Sequence, residues 1–326
     1  LSISDAKINS HEEDFDIVIA LDENAIKKHK LNDKTIVLAS QDYKIKNLIK
    51  IEVEDKRIEN VYFAAALFKV LGLDKENLKK HINKVFAGKS LLQADLDAVD
   101  KVYRMNCCFN LGLIKKLNKK NIVMTGSEAV GIGAIESGLQ VFYSYPMTPA
   151  TALLTFLAQN QDKYDYLVYE PDSEISVINA ALGSSFAGAK SMLGTSGGGF
   201  DLMTEALSMA GMAELPLVCY LASRPGPSTG VPTFSSQQDI NLAVYGGHGE
   251  FPRIVVCPGD LQEAYELTKE IFYLTGKYRT PGIILSDKHL AESWFSCEKL
   301  ESKNFPEIKL KNILGKQLVK TNSYEH

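Results

Sequence analysis

Several short stretches carry residue types whose spacing could do chemistry. Tyr145-Pro146-Met147-Thr148-Pro149 sets a hydroxyl residue between two prolines directly behind an apolar run. Pro149 suits a first helical position, because its missing N–H would be unpaired there, and Thr148 ahead of it suits an N-cap. So stiff a corner would aim the Thr148 hydroxyl and the first free helix amides at a polar or anionic ligand. Glu170-Pro171-Asp172-Ser173-Glu174 ends in a carboxylate at the head of an almost uncharged segment, Ile175 to Ala189. A helix so rich in small residues must pack closely on most sides, and a carboxylate shielded by it suits proton transfer. At that position it can equally serve only the helix dipole. Gly194-Thr195-Ser196-Gly197-Gly198-Gly199 lets backbone come close to a ligand, with amides free to bind oxygen atoms ahead of a helix expected from Phe200. Arg224 opens a long loop stiffened by prolines and glycines, Arg224 to Pro232, with a planar fork suited to a carboxylate.

The elements needed to hold these groups alternate. From residue 122 onward the pattern predicts strands at 122–124, 141–143, 166–169, 191–195, 217–222, 253–257 and 281–285. Helices are predicted between them at 127–137, 149–160, 173–187, 200–212 and 260–275. Strands alternating with helices of this length imply right-handed βαβ units and a parallel sheet covered on both faces, with ligands at the carboxyl ends of the strands. The earlier part of the chain is different. Strands at 16–21, 35–39 and 48–53 and a Lys-rich helix at 23–30 precede helical patterns at 60–71, 75–86 and 91–117, and Asn118 to Asn121 reads as a polar linker.

Composition bounds the rest. A 326-residue chain with 45% hydrophobic and 23% charged residues has the balance of a globular protein large enough for two domains. A net charge of −4 argues against nucleic acid or an anionic membrane as partner. The five cysteines form no C-x-x-C pair, which points to a reducing compartment and away from a zinc or iron–sulfur site in this chain. No helical His pair with metal-ligand spacing occurs, and no apolar run reaches the roughly 20 residues of a bilayer span, so a cytoplasmic location is expected. Ala87-Gly88-Lys89-Ser90 is similar to the end of a phosphate loop, but Asn83 stands in place of the leading glycine and a helix precedes it; a helix C-terminal turn is expected there.

Residues 194–198 also spell Gly-x-Ser-x-Gly in a strand–turn–helix context, which admits a serine hydrolase with Ser196, Asp260 and His289 in the required chain order. A non-catalytic assembly or regulatory subunit is the third alternative.

Taken in order, the Tyr145 to Pro149 corner, Ser173-Glu174-Ile175, Thr195 to Phe200 with Leu202 to Ala206, the Arg224 to Gly230 loop and Tyr245-Gly246-Gly247-His248-Gly249-Glu250 resemble one family. They look like the α subunit of 2-oxoacid:ferredoxin oxidoreductases, in the form with a γ-type domain fused ahead of the α portion. The likeness covers residue 122 to about 295, and Phe63 to Gly72 with Phe86 to Ser90 extend it more loosely into residues 1–117. The resemblance implies a thiamine diphosphate pyrimidine-binding domain, a doubly wound parallel α/β sheet, at residues 118–300. It also implies a smaller, partial γ-type α/β domain at 1–117, and a tail or the start of a further domain at 301–326. It implies oxidation of a 2-oxoacid, with 2-oxoglutarate favoured, by coenzyme A to an acyl-CoA and carbon dioxide, the electrons passing to ferredoxin.

Carried onto matching positions, Glu174 would hydrogen-bond the cofactor's aminopyrimidine, Thr148 would contact the substrate and Arg224 would hold its carboxylate. Tyr145, Pro146, Thr148, Glu174, Ser196 and Gly197 would line the cofactor. The chain lacks a Gly-Asp-Gly followed by an Asn-rich segment and lacks cluster cysteines. A β subunit is therefore expected to hold the diphosphate, Mg2+ and [4Fe-4S] in an (αβ)2 assembly, this chain being inactive alone and holding no metal. The opening at Leu1 and the missing glycine-rich start of the γ-type domain suggest a fragment or a short relative.

Overall fold

The computed structural model describes residues 2–4, 8, 14–29, 31–106, 111 and 121–308. The chain divides into two compact units, Leu1–Asn118 and Lys119–His326.

In the first unit, β1 (Ile17–Ala20), α1 (Glu23–Lys28), β2 (Ile36–Ala39) and β3 (Leu48–Lys50) build a parallel sheet of order β1-β2-β3. Asp22 starts α1 by accepting the amides of Asn24 and Ala25. Three helices follow, α2 (Glu59–Val70), α3 (Lys75–Val85) and α4 (Leu92–Arg104), and the apolar stripes of all three meet Ile36, Leu38 and Ile51 in one core. The helix expected over 91–117 ends at Arg104, where Met105 turns to φ −59°, ψ 142° and leaves helical geometry. Most of its remainder, including Cys107 and Cys108, and most of the Asn118 to Asn121 linker lie outside the described residues. The Ala87-Gly88-Lys89-Ser90 stretch is the turn behind α3, with Gly88 at φ 76°.

The second unit carries β4 (Ile122–Thr125), α5 (Gly126–Glu136), β5 (Val141–Ser144), α6 (Thr151–Tyr164), β6 (Leu167–Tyr169), α7 (Glu174–Phe186), β7 (Ser191–Thr195) and α8 (Gly197–Met212). It continues with β8 (Val218–Ser223), α9 (Ile240–Tyr245), β9 (Ile254–Val256), α10 (Leu261–Tyr278), β10 (Gly282–Asp287), α11 (Lys288–Glu292) and β11 (Trp294–Cys297). Six strands form one parallel sheet of order β6-β5-β7-β8-β10-β9. Alternate residues of its central strands point to opposite faces. Phe142, Met192, Tyr220 and Ile284 meet α5, α6 and α10 on one side, while Leu193, Cys219, Leu221 and Ile283 meet α7 and α8 on the other. This is a doubly wound α/β sheet, as the alternating pattern predicts.

The first predicted strand does not join it. β4 pairs antiparallel with β11, a strand the pattern does not predict, in register Trp294 to Thr125. A strand inside a parallel sheet is covered on both faces, whereas Ile122 and Val123 are exposed. Among the described residues no helix is long and apolar enough to cross a membrane.

Candidate functional site

The sheet order reverses at β5: the chain passes from β5 to β6 on one side, and β7 then takes the place on the other. Such a reversal opens a crevice outside the carboxyl ends of the two central strands, because the connecting helices leave in opposite directions. Ser144 and Gly194 face each other in register at that edge, and the buried Ser144 hydroxyl donates to the Gly194 carbonyl at 2.9 Å. The ends of β5 and β7 are thereby tied together.

Behind β5, Tyr145 and Pro146 are exposed, Thr148 is half-buried and Pro149 is buried. The Thr148–Pro149 peptide is cis. The expected helix start is two residues too early. A separate turn, closed by the Thr151 amide donating to the Met147 carbonyl at 3.1 Å, precedes α6, so Ala150 and not Thr148 is its N-cap.

Behind β6, Ser173 caps α7 by accepting the Ser176 amide at 3.3 Å, and Glu174 follows as the first helical residue, only 8% exposed. What buries Glu174 is α8. That helix begins at Gly197 and not at Phe200, so the glycines form its first turn. Their task is close packing: a Cβ on Gly199 would lie 2.7 Å from Glu174 Cγ and would strike Thr195 Oγ1. A Cβ on Gly197 would lie 2.6 Å from both carboxylate oxygens of Asp239. Only glycine lets α8 start between these two carboxylates.

Ser196 is the N-cap of α8, yet its buried hydroxyl bonds none of the helix amides and has no hydrogen-bond partner. Behind β8, the buried guanidinium of Arg224 donates from NH1 to the Thr148 carbonyl at 2.9 Å, 76 positions back in the chain, while its Nε–H is unpartnered. Buried polar groups without a partner cost about 1–3 kcal/mol each. Ser196 and Arg224 are the residues with such side-chain atoms among those described. Both stand at this one edge. A shielded carboxylate, a free hydroxyl and a free guanidinium N–H form a donor and acceptor set suited to a polar heteroaromatic ring and a carboxylate.

The hydrolase constellation is not assembled. A nucleophile elbow needs a strained serine exposed to a histidine, whereas Ser196 sits at φ −118°, ψ 177°, fully buried and unbonded. His289 Nδ1 pairs with the Ser293 hydroxyl at 3.1 Å, and Asp260 caps α10 by accepting the Glu263 amide.

One residue of the edge escapes sequence reasoning. Asp239 accepts the Ser223 hydroxyl at 2.6 Å and lies against Gly197, closing the base of the loop that Arg224 opens. The only sequence signal is an acid ahead of the apolar run Ile240 to Tyr245, which reads as a helix cap. A cavity of about 270 Å3 lies elsewhere, at the amino edge of the sheet, between α10 and Asn304 to Ile308.

A family model described as pyruvate flavodoxin/ferredoxin oxidoreductase, thiamine diphosphate-binding, matches residues 132–319. The chain belongs to this oxidoreductase family. A second model, pyruvate ferredoxin/flavodoxin oxidoreductase, matches residues 1–105. The 2-oxoacid:ferredoxin oxidoreductase subunit alpha of Saccharolobus solfataricus is 35% identical over 294 residues, 85% of this chain and 45% of the relative. The 2-oxoglutarate synthase subunit KorA of Archaeoglobus fulgidus is 40% identical over 174 residues, 52% of this chain and 50% of the relative. Among solved structures, the 2-oxoglutarate:ferredoxin oxidoreductase from Magnetococcus marinus, with 2-oxoglutarate, coenzyme A and succinyl-CoA bound, superposes with a TM-score of 0.83. It is 31% identical, over 91% of this chain and 56% of that one. The chain thus spans about half the length of the relatives it matches.

Proposed function

We propose that this chain is part of the α subunit of a 2-oxoacid:ferredoxin oxidoreductase, and that its residues 118–300 hold the aminopyrimidine half of thiamine diphosphate together with the substrate. The observation that carries the reading is the pair of buried, unpartnered groups, Ser196 Oγ and Arg224 Nε, at the edge that also buries Glu174. When bound, thiamine diphosphate supplies the carbanion chemistry that lets a 2-oxoacid lose carbon dioxide.

The chain's own residues then have separate tasks. Glu174 would share a proton with the ring nitrogen through its carboxylate, which lies against Gly199 at the buried start of α8. Ser196 Oγ, Gly197 and the exposed Tyr145-Pro146 rim line the ring. Arg224, anchored on the Thr148 carbonyl, turns its remaining N–H groups to the 2-oxoacid's carboxylate, and Thr148 borders the substrate. An Arg fork fixed at one end is already oriented, so less entropy is lost when the substrate binds. The reaction is oxidation of the 2-oxoacid, 2-oxoglutarate favoured, with coenzyme A to acyl-CoA and carbon dioxide. A β subunit in an (αβ)2 assembly holds the diphosphate, Mg2+ and [4Fe-4S], and ferredoxin takes the electrons. Residues 1–117 form the partial γ-type domain.

Copurification tests this. The expected outcome is a partner subunit, bound thiamine diphosphate, and viologen reduction that depends on a 2-oxoacid and is fastest with 2-oxoglutarate in a panel including pyruvate and branched 2-oxoacids. Fluorophosphonate labelling of Ser196 with no dye reduction would overturn the reading in favour of the hydrolase. Dye reduction unchanged by Glu174→Gln would leave the subunit non-catalytic.

A further inference from the structure

We propose that Asp239 is a positioning residue of this site: it fixes the end of β8 from which Arg224 emerges, and it covers the positive end of α8 so that the Ser196 hydroxyl stays free for a ligand. The inference rests on the reading of Arg224 as the carboxylate anchor.

Asp239 is placed as the N-cap of α9, yet its side chain makes no capping bond there. It turns away from its own helix. One carboxylate oxygen accepts the Ser223 hydroxyl at 2.6 Å, and both oxygens lie against Gly197, the first residue of α8. Ser223 is 1% exposed and is the last residue of β8, directly before Arg224. Side chains alternate along a strand. Ser223 therefore shares the α8 side of the sheet with Cys219 and Leu221, while Arg224 leaves toward the α6 side, where it meets the Thr148 carbonyl. Holding Ser223 fixes the backbone from which the guanidinium departs, without the carboxylate competing for that guanidinium.

The same contact closes a loop. Asp239 lies 16 residues beyond Ser223, and the Gly226 amide donating to Gln238 Oε1 at 3.1 Å adds a second rung just inside it. At the other partner, a carboxylate against the first turn of α8 meets the positive end of the helix dipole. A serine N-cap ordinarily spends its hydroxyl on the second or third helix amide. Ser196 does not, and its hydroxyl is buried and unbonded. Asp239 supplies the negative charge at that terminus, which leaves the cap residue available to a bound molecule. It also makes the α8 terminus a poor seat for a further anion, in keeping with a neutral ring beside Ser196 and with the diphosphate held elsewhere.

The test uses Asp239→Ala, Asp239→Asn and Ser223→Ala in the chain assembled with its partner subunit. Asp239→Ala should raise KM for the 2-oxoacid roughly tenfold while kcat at saturation and KM for coenzyme A stay within about twofold, the signature of lost substrate positioning. Ser223→Ala should move the same constant in the same direction. Asp239→Asn retains an acceptor for Ser223 and should show a smaller rise, so the series stays informative if the alanine variant folds poorly. A second readout needs no turnover: chymotrypsin should cut after the exposed Phe234, inside the loop, faster in Asp239→Ala than in the parent chain. Equal rises in both KM values, or a 2-oxoacid KM unmoved in all three variants, would overturn the proposal. A parent enzyme without 2-oxoacid-dependent reduction would sink the reading of Arg224 itself, whereas unchanged cleavage after Phe234 would sink the loop closure.

Discussion

The two ends of the six-stranded sheet treat their buried polar groups differently. At the amino end, no described residue has a buried side-chain polar atom left without a partner, and half-buried or exposed groups there are paired as well. Lys190 donates to the Ser137 carbonyl and from its backbone to Gln140 Oε1, Ser185 Oγ donates to the Pro216 carbonyl at 2.7 Å, and Thr280 Oγ1 donates to the Pro252 carbonyl. Glu136 takes both the Tyr265 hydroxyl and the Lys269 ammonium. At the carboxyl end, Ser196 Oγ and Arg224 Nε are left over. The amino end carries a cavity of about 270 Å3, the carboxyl end the unpartnered polar groups. Polar satisfaction, which measures what a fold gives up in stability, is what points the proposed site to the carboxyl end.

If the contrast is real, substitutions at the two ends must fail in different ways. The largest effect is expected from Glu174→Gln, which should lower 2-oxoacid-dependent dye reduction by about 100-fold or more, the scale of lost general acid–base catalysis, with the melting temperature unchanged. Next, Arg224→Lys should raise KM for the 2-oxoacid by roughly tenfold, because an ammonium cannot present two parallel donors to a carboxylate; steady-state kinetics over a range of substrate decides it. At the amino end, Ser185→Ala strands the Pro216 carbonyl and should cost about 1 kcal/mol. That is a fall of about 2–4 °C in a unit of this size, read by calorimetry with turnover per folded molecule unaltered.

The smallest effect is a pH dependence. Burial pushes the Glu136 carboxyl up, but the hydrogen bonds from Tyr265 and Lys269 more than offset it, so the group titrates below its ordinary value of 4.5. A depressed folded value means the contribution is present above pH 4.5 and is lost as the pH falls through the folded value. Glu136→Gln should lower stability slightly at neutral pH, flatten the stability curve in that acid range and match the parent below it, read by calorimetry across pH. A Glu136→Gln enzyme with altered substrate KM would blur the distinction between the two ends.

The sheet was legible because β5, β6, β7 and β9 each combine an apolar run with a following helical period, while β8 and β10 are themselves longer apolar runs. Its outlier was not. Nothing local in Ile122 to Thr125 tells a strand destined for the sheet from one that pairs antiparallel with Trp294 to Cys297; partner choice is a tertiary decision. The short helices α9 and α11 hold too few turns for a period to register. In the site, Glu174, Ser196 and Arg224 stand at strand ends that alternation locates. The α6 N-cap lies two residues beyond Thr148, because a proline that suits a helix start instead sits in the turn before it, and the low helix propensity of the glycines before Phe200 hides the packing that holds them in a helix. The only sequence signal at Asp239 is that of a helix cap, and it hides the side chain's actual partners: Ser223 lies 16 positions away and Gly197 across the sheet edge.

Arg224 holds the Thr148 carbonyl and not its hydroxyl. A backbone acceptor is the same for every amino acid, so the side chain at 148 is free to vary without releasing the guanidinium. Position 148 is thereby a place where evolution, or a saturation library, can change the side chain at this edge while Arg224 keeps its backbone anchor.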